Sequence, residues 1–176
     1  MIKSKTPIKF VFLVLIIALN LGCDQVSKEI ARKNLAPYEQ ISIIKDRFIL
    51  TKVENTGAFL SAGSNLQNVV RIAFLTVLPI LVLAYGLWFL YSNRNIPPLM
   101  QVGICFLIGG GIGNIYDRII HGSVTDFFHM DFGLFRTGIF NMADVSIMIG
   151  IGLLLLQNLT AAKIKSQEAE QGEASI

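Results

Sequence analysis

Charge is what this 176-residue chain has least of: Asp, Glu, Lys and Arg make up 15% of it, against 53% hydrophobic residues. A soluble domain carries roughly a quarter charged residues, so a water-soluble globular fold is excluded. Cysteine is limited to Cys23 and Cys105, too few for a disulfide-stapled scaffold. On membrane helices their depths would differ by roughly 15–18 Å, too far for a disulfide, and both read as apolar packing thiols. No Walker loop or dinucleotide fingerprint is present. The net charge of +3 forms no clustered basic patch, which argues against nucleic acid as a partner. The two histidines, His121 and His129, stand near Asp126 and Asp131 at spacings that fit no standard metal site. Ser123 and His121 share one short turn, a poor basis for a Ser-His-Asp arrangement. No metal or cofactor is expected.

What is present is apolar sequence gathered into runs. Residues 72–91 and 99–116 carry no charge, and 139–159 carries only Asp144. Each approaches the ~20 residues that cross a hydrocarbon core of about 30 Å. With an N-terminal run, four spans are predicted at about 8–24, 70–91, 98–117 and 139–159. They form one membrane domain over 1–160, followed by a polar tail over 161–176 that is expected to be disordered.

The first span is short, 16 residues from Ile8 to Cys23, or roughly 24 Å. Lys3, Lys5 and Lys9 before it and LNLGC at its end imitate a signal peptide with a lipidation site. Such a site needs an aliphatic residue three before the cysteine, where this chain has Asn20. An uncleaved first helix is therefore expected.

Four spans place 24–68 and 117–138 on one face, and the N-terminus, the 92–98 turn and the tail on the other. With Arg71 and Asp144 counted to the first face, Lys plus Arg number nine there and six on the second, but nine carboxylates also lie on the first. The N-terminal lysines favour a cytoplasmic N-terminus. In the first segment Ile41, Ile43, Ile49, Thr51 and Val53 alternate around the turn Lys45-Asp46-Arg47, which predicts a small antiparallel sheet within about 38–60. The 117–138 loop mixes Phe127, Phe128, Phe132, Leu134 and Phe135 with His, Asp and Arg, a composition suited to the bilayer interface.

Two Asn-x-x-Asp pairs flank that loop, Asn114 with Asp117 and Asn141 with Asp144. On helices, residues three apart share a face, and antiparallel third and fourth spans bring both pairs to one membrane boundary. An ionisable group within a span is a functional candidate by default. Two carboxylates held close do not both ionise. One can then donate a proton to a carbonyl while the other takes a proton from water. That is aspartic-protease chemistry, expected here of Asp117 and Asp144. Gly109 and Gly113, in G-x-x-x-G spacing, would let helices approach closely. A transporter or proton relay built on the same aspartates is the competing class. Transport sites, however, usually lie near the bilayer midplane rather than at one edge.

Five ordered blocks carry a closer resemblance. They are Asp24-Gln25-Val26-Ser27-Lys28, Asn55-Thr56-Gly57-Ala58-Phe59, the Gly109–Arg118 block, Val124-Thr125-Asp126-Phe127-Phe128 and Phe140-Asn141-Met142-Ala143-Asp144. In these the chain resembles the lipoprotein signal peptidases, also called signal peptidase II, across about 8–160. The resemblance implies a four-helix membrane bundle with a small extracytoplasmic antiparallel β-sheet cradle. It implies a bacterial inner-membrane location with both termini cytoplasmic. The catalytic pair would match Asp117 and Asp144. Asn55, Gly57, Ala58, Asn114, Arg118, Asn141, Ala143 and Asp126 would support the site or position substrate, and Asp24 and Lys28 would support it structurally. The implied substrates are prolipoproteins whose cysteine already carries diacylglycerol, cut just before that cysteine. Membrane lipids and globomycin-type cyclic peptides are the other implied partners. In the second block Phe59 follows Ala58 directly, where the family usually has another small residue between.

Overall fold

The structure, a computed structural model, describes residues 6–45, 47–58, 62–64, 67–93 and 95–173. Phe59, at the departure noted above, lies outside them. Among the described residues four helices are long and apolar enough to cross a membrane. Helix α1 spans Thr6–Asn34, α2 Asn68–Ser92 and α3 Pro98–His121, while α4 runs Met142–Glu173. Strands β1 (Gln40–Ile44), β2 (Phe48–Asn55) and β3 (Val124–Met130) form an antiparallel sheet in the order β1-β2-β3.

Local chemistry accounts for the boundaries. Helix α3 opens on Pro98, whose fixed φ suits the first helical turn and whose missing N–H costs nothing there. It closes on Gly122, left-handed at φ 75°, whose N–H donates to the Arg118 carbonyl at 3.1 Å. Within α2 the turn Ala73–Val77 widens to π geometry just before Pro79. The widening relieves the clash between a proline ring and the carbonyl four residues earlier.

Helix α3 is central, packed against α1, α2 and α4. The outer helices turn large apolar side chains outward, among them Phe10, Leu19, Leu81, Trp88, Leu155 and Leu159. Lipid is the solvent that suits such surfaces. Glycines set the helix separations. A Cβ on Gly110 would collide with the Ala143 carbonyl of α4, and one on Gly109 would stand 2.7 Å from the Asn20 side chain of α1.

Three expectations need correction. The first helix does not stop at the end of its apolar run near residue 24: α1 continues to Asn34. Its last turns leave the apolar run and become the floor of the sheet, where Ala31 and Leu35 bury against Phe127, with Leu50, Phe128 and Met142 packed around them. The stretch after α3 is a strand rather than only an interfacial loop. β3 pairs Asp126 with Val53, Phe128 with Leu50 and Met130 with Phe48, so the cradle draws on residues far beyond 38–60. Finally, α4 does not give way at 161 but continues to Glu173. Ala161, Ala162, Lys163, Gln167, Glu168 and Ala169 are all strong helix formers, and propensity extends a helix already nucleated in the bundle.

Sheet and site therefore share one end of the bundle. β3 begins just past the end of α3, and the returning segment leads directly into α4. That segment is tied to β3 through the Phe128–Phe140 and Asp131–Arg136 bridges.

Candidate active site

The extension of α1 places Asp24, Lys28 and Arg32 four residues apart on one helix face. Lys28 is fully buried, and its ammonium has three acceptors: Asp24 Oδ2 at 2.8 Å, Asp117 Oδ2 at 3.0 Å and Asn114 Oδ1 at 2.9 Å. An ammonium has three protons to donate, so its capacity is filled. Asp117, also fully buried, takes a second cation at Oδ1, Arg32 Nη2 at 3.0 Å. It also accepts from Gln25 Nε2 and from the Thr125 N–H, each at 3.3 Å. Asp24 Oδ1 accepts from the Ala143 N–H at 2.8 Å. Two cations thus face two carboxylates in a closed cluster joining α1, α3, α4 and β3. Gly113 is where α3 makes room for it, since a Cβ there would collide with the Asp24 carboxylate.

A second cluster lies alongside. Asn141 caps α4: its Oδ1 accepts from the Asp144 N–H at 3.0 Å, and its own N–H donates to Asp144 Oδ2 at 3.2 Å. This is a reciprocal capping box with an acidic residue at its third helical position. With Oδ1 committed to an N–H, the Asn141 amide must aim its nitrogen elsewhere. Nδ2 donates to Asp126 Oδ1 at 2.6 Å and to Asn114 Oδ1 at 3.3 Å. Asp126 accepts on its other oxygen from Asn55 Nδ2 at 2.9 Å. Asn55 is itself held by an Asx turn to the Gly57 N–H at 2.9 Å and a bond to the Ala58 carbonyl at 3.0 Å.

Asn114 links the clusters. Lys28 can only donate, so Asn114 must present Oδ1 to it, and Nδ2 then donates to Asp144 Oδ1 at 2.9 Å. Arg118 closes one side, donating to the Gly57 carbonyl at 3.0 Å and the Asn114 carbonyl at 3.3 Å. Its charge acts on Asp144 and Asp126.

The carboxylates now differ in kind. Asp126 is 3% exposed. Burial pushes its carboxyl up to about 6, helped by the negative charge of Asp144 and opposed by the hydrogen bonds from Asn55 and Asn141. Asp144 is only partly buried and so is open to a ligand or water. Asp117 is sealed and neutralised by two cations. Among the described residues no three His, Cys, Asp or Glu side chains converge as a metal site.

The signal peptidase (SPase) II family model matches residues 16–160 of this chain. The chain belongs to the signal peptidase II family. A lipoprotein signal peptidase of Pasteurella multocida (strain Pm70) is 35% identical over 159 residues, covering 89% of this chain and 92% of that one. One of Clostridioides difficile (strain 630) is 35% identical over 143 residues, covering 81% and 91%. A solved structure described as a bacterial membrane enzyme superposes with a TM-score of 0.79 at 27% identity, over 88% of this chain and 91% of that one. Membership makes the chain a membrane peptidase.

On this signal peptidase II scaffold the structure gathers every residue expected at the site, but in a different pairing. Asp24, Lys28 and Asp117 form the ion cluster, whereas Asn55, Asn114, Asp126, Asn141 and Asp144 form the hydrogen-bonded cluster, with Gly57, Ala58, Arg118 and Ala143 around them. Asp144 is joined to Asp126 through Asn141, while Asp117 is turned to Lys28 and Arg32. The second Asn-x-x-Asp is also not a helical pair, because Asn141 stands outside α4 as its cap. Arg32, Gln25 and Thr125 were missed. Carrying the Asp24, Lys28 helical spacing one turn further would have found Arg32. Thr125 acts through its main-chain N–H to Asp117 and through its hydroxyl, which accepts from Arg32 Nε and donates to Glu54 Oε1, each at 2.9 Å.

Proposed function

We propose that this chain is an aspartic endopeptidase that cuts diacylglyceryl-modified prolipoproteins just before the lipid-bearing cysteine, with Asp126 and Asp144 as its water-activating pair. The observation that carries the pairing is Asn141, which holds Asp126 with its side chain and Asp144 with its main chain. Asp126, with its carboxyl pushed up to about 6, is the proton donor. Asp144, partly accessible and within the field of Arg118, is the base.

In the first step Asp144 takes a proton from water, whose oxygen attacks the scissile carbonyl, while Asp126 passes its proton to the carbonyl oxygen. Collapse returns a proton to Asp126 and moves the one on Asp144 to the departing cysteine nitrogen. The products are a signal peptide with a new carboxylate and a lipidated cysteine with a free amine. Asp117 keeps Lys28 in place, and Lys28 fixes the amide orientation of Asn114 against Asp144, so Asp117 acts as a positioning residue.

A lipid-modified substrate fits the surroundings. An apolar groove of about 300 Å³, lined by Ile16 and Leu19 of α1, Phe106 of α3 and Met142 and Val145 of α4, suits an acyl chain. The turn beyond β3 exposes Phe132, Leu134 and Phe135, side chains suited to the headgroup region. In this reading the helix ends bearing the sheet are extracytoplasmic, both termini are cytoplasmic, and the membrane is the bacterial inner membrane. The first helix is retained, because α1 carries Asp24, Lys28 and Arg32 into the site. Globomycin-type cyclic peptides would compete with substrate.

The test is cleavage of a synthetic diacylglyceryl prolipoprotein peptide by purified protein and by Asp126→Asn, Asp144→Asn and Asp117→Asn. Loss of cleavage in the first two, with unchanged thermal unfolding, is expected. Full cleavage by Asp126→Asn would return the role to Asp117.

A further inference from the structure

Beside Asp126, on the sheet side of the site, opens a cavity of about 290 Å³. Val53 and Asn55 of β2, Asp126 and His129 of β3, and Thr137 and Ile139 of the returning segment line it. Most of its polar groups are engaged. Asn55 is bonded to Asp126 and the Ala58 carbonyl, and the Thr137 hydroxyl is bonded to the main chain of Met130. His129 differs: its Nδ1 is buried and has no hydrogen-bond partner among the described residues. A buried ring nitrogen left unpaired is costly, so a partner supplied by a ligand would be favoured there.

The cavity's place identifies the ligand, given the peptidase reading on which this rests. It lies among strand residues beyond the ends of α3 and α4, outside the apolar spans. The diacylglyceryl chains and the signal segment remain in lipid, so the part of a substrate that leads this way is the polypeptide after the lipid-bearing cysteine. About 290 Å³ is at the lower end of ligand pockets, room for one residue. We propose that this cavity receives the residue immediately following the lipid-bearing cysteine, and that His129 hydrogen-bonds its side chain. Val53 and Ile139 bracket the carbon portion of that side chain. A neutral hydrogen-bonding residue such as Ser or Asn is favoured. An acidic one is disfavoured, since it would meet Asp126. His129 is thus a specificity residue.

The experiment uses full-length protein in detergent micelles and four diacylglyceryl peptides that differ only in the residue after the cysteine: Ser, Asn, Ala or Asp. Wild type should favour Ser and Asn over Ala by about threefold to tenfold in kcat/KM, the range of one hydrogen bond, with Asp below Ala. His129→Ala should bring the Ser-to-Ala and Asn-to-Ala ratios to about one, and His129→Gln, which can still hydrogen-bond, should restore most of the preference. A wild-type ratio of one, or a preference untouched by His129→Ala, overturns the assignment. Asp126→Asn run alongside separates the two levels. If it is inactive while His129→Ala keeps the preference, only the His129 assignment fails. If it is fully active, the catalytic reading fails and this proposal with it.

Discussion

Asn141 donates from its side-chain amide to Asp126 Oδ1 at 2.6 Å while its main-chain N–H donates to Asp144 Oδ2 at 3.2 Å. One residue therefore sets the relation between two carboxylates from different elements, a strand and a helix terminus. The consequences can be measured.

Replacing either Asp126 or Asp144 with Asn should lower kcat by on the order of a thousandfold, with little change in thermal unfolding. Each keeps its shape and one accepting oxygen but loses the ability to exchange a proton. Single-turnover cleavage of a lipidated peptide, alongside a melting curve in detergent, reads both quantities.

Lys28→Met should act through stability instead. It leaves Asp24 and Asp117 buried with the ammonium gone, and breaking a buried ion pair from one side costs about 3–5 kcal/mol. The melting temperature should fall well below that of Asp126→Asn. A melt equal to wild type would show that the ion cluster is not structural.

The pH profile should carry the signature of Asp126. The reaction needs its proton, which is held until the pH rises through about 6. The kcat/KM should therefore decline on the alkaline side from about that pH. Asn141→Asp keeps a capping oxygen but sets another carboxylate against Asp126, so it should move the alkaline limb upward. A limb that stays in place in this variant would remove Asp126 as the titrating acid.

Gly113→Ala should cost about 1–3 kcal/mol by overpacking α3 against the Asp24 carboxylate. Gly152→Ala, where an added Cβ meets nothing within 4 Å, should be nearly neutral or slightly stabilising. Paired melts of the two variants test whether the glycines serve close approach rather than composition alone.

What the sequence determined by itself was the solvent and the parts. Long uncharged runs can be satisfied only by lipid and helical backbone, so the spans were legible, as were the hairpin of β1 and β2 and the residues that gather at one end. Tertiary structure alone decided which partner each group has. Periodicity puts Asn114 beside Asp117 on α3, but it does not say that Lys28, 86 residues before Asn114, reaches between them. Nor does it say that Arg32 occupies the other Asp117 oxygen. Asp126 looked like one polar residue in an aromatic loop until β3 paired with β2 and set it against Asn55 and Asn141. Local sequence sets which face a side chain occupies. Whether a carboxylate is neutralised, buried or shared depends on charges and donors brought by other elements, and only the packed bundle brings them together.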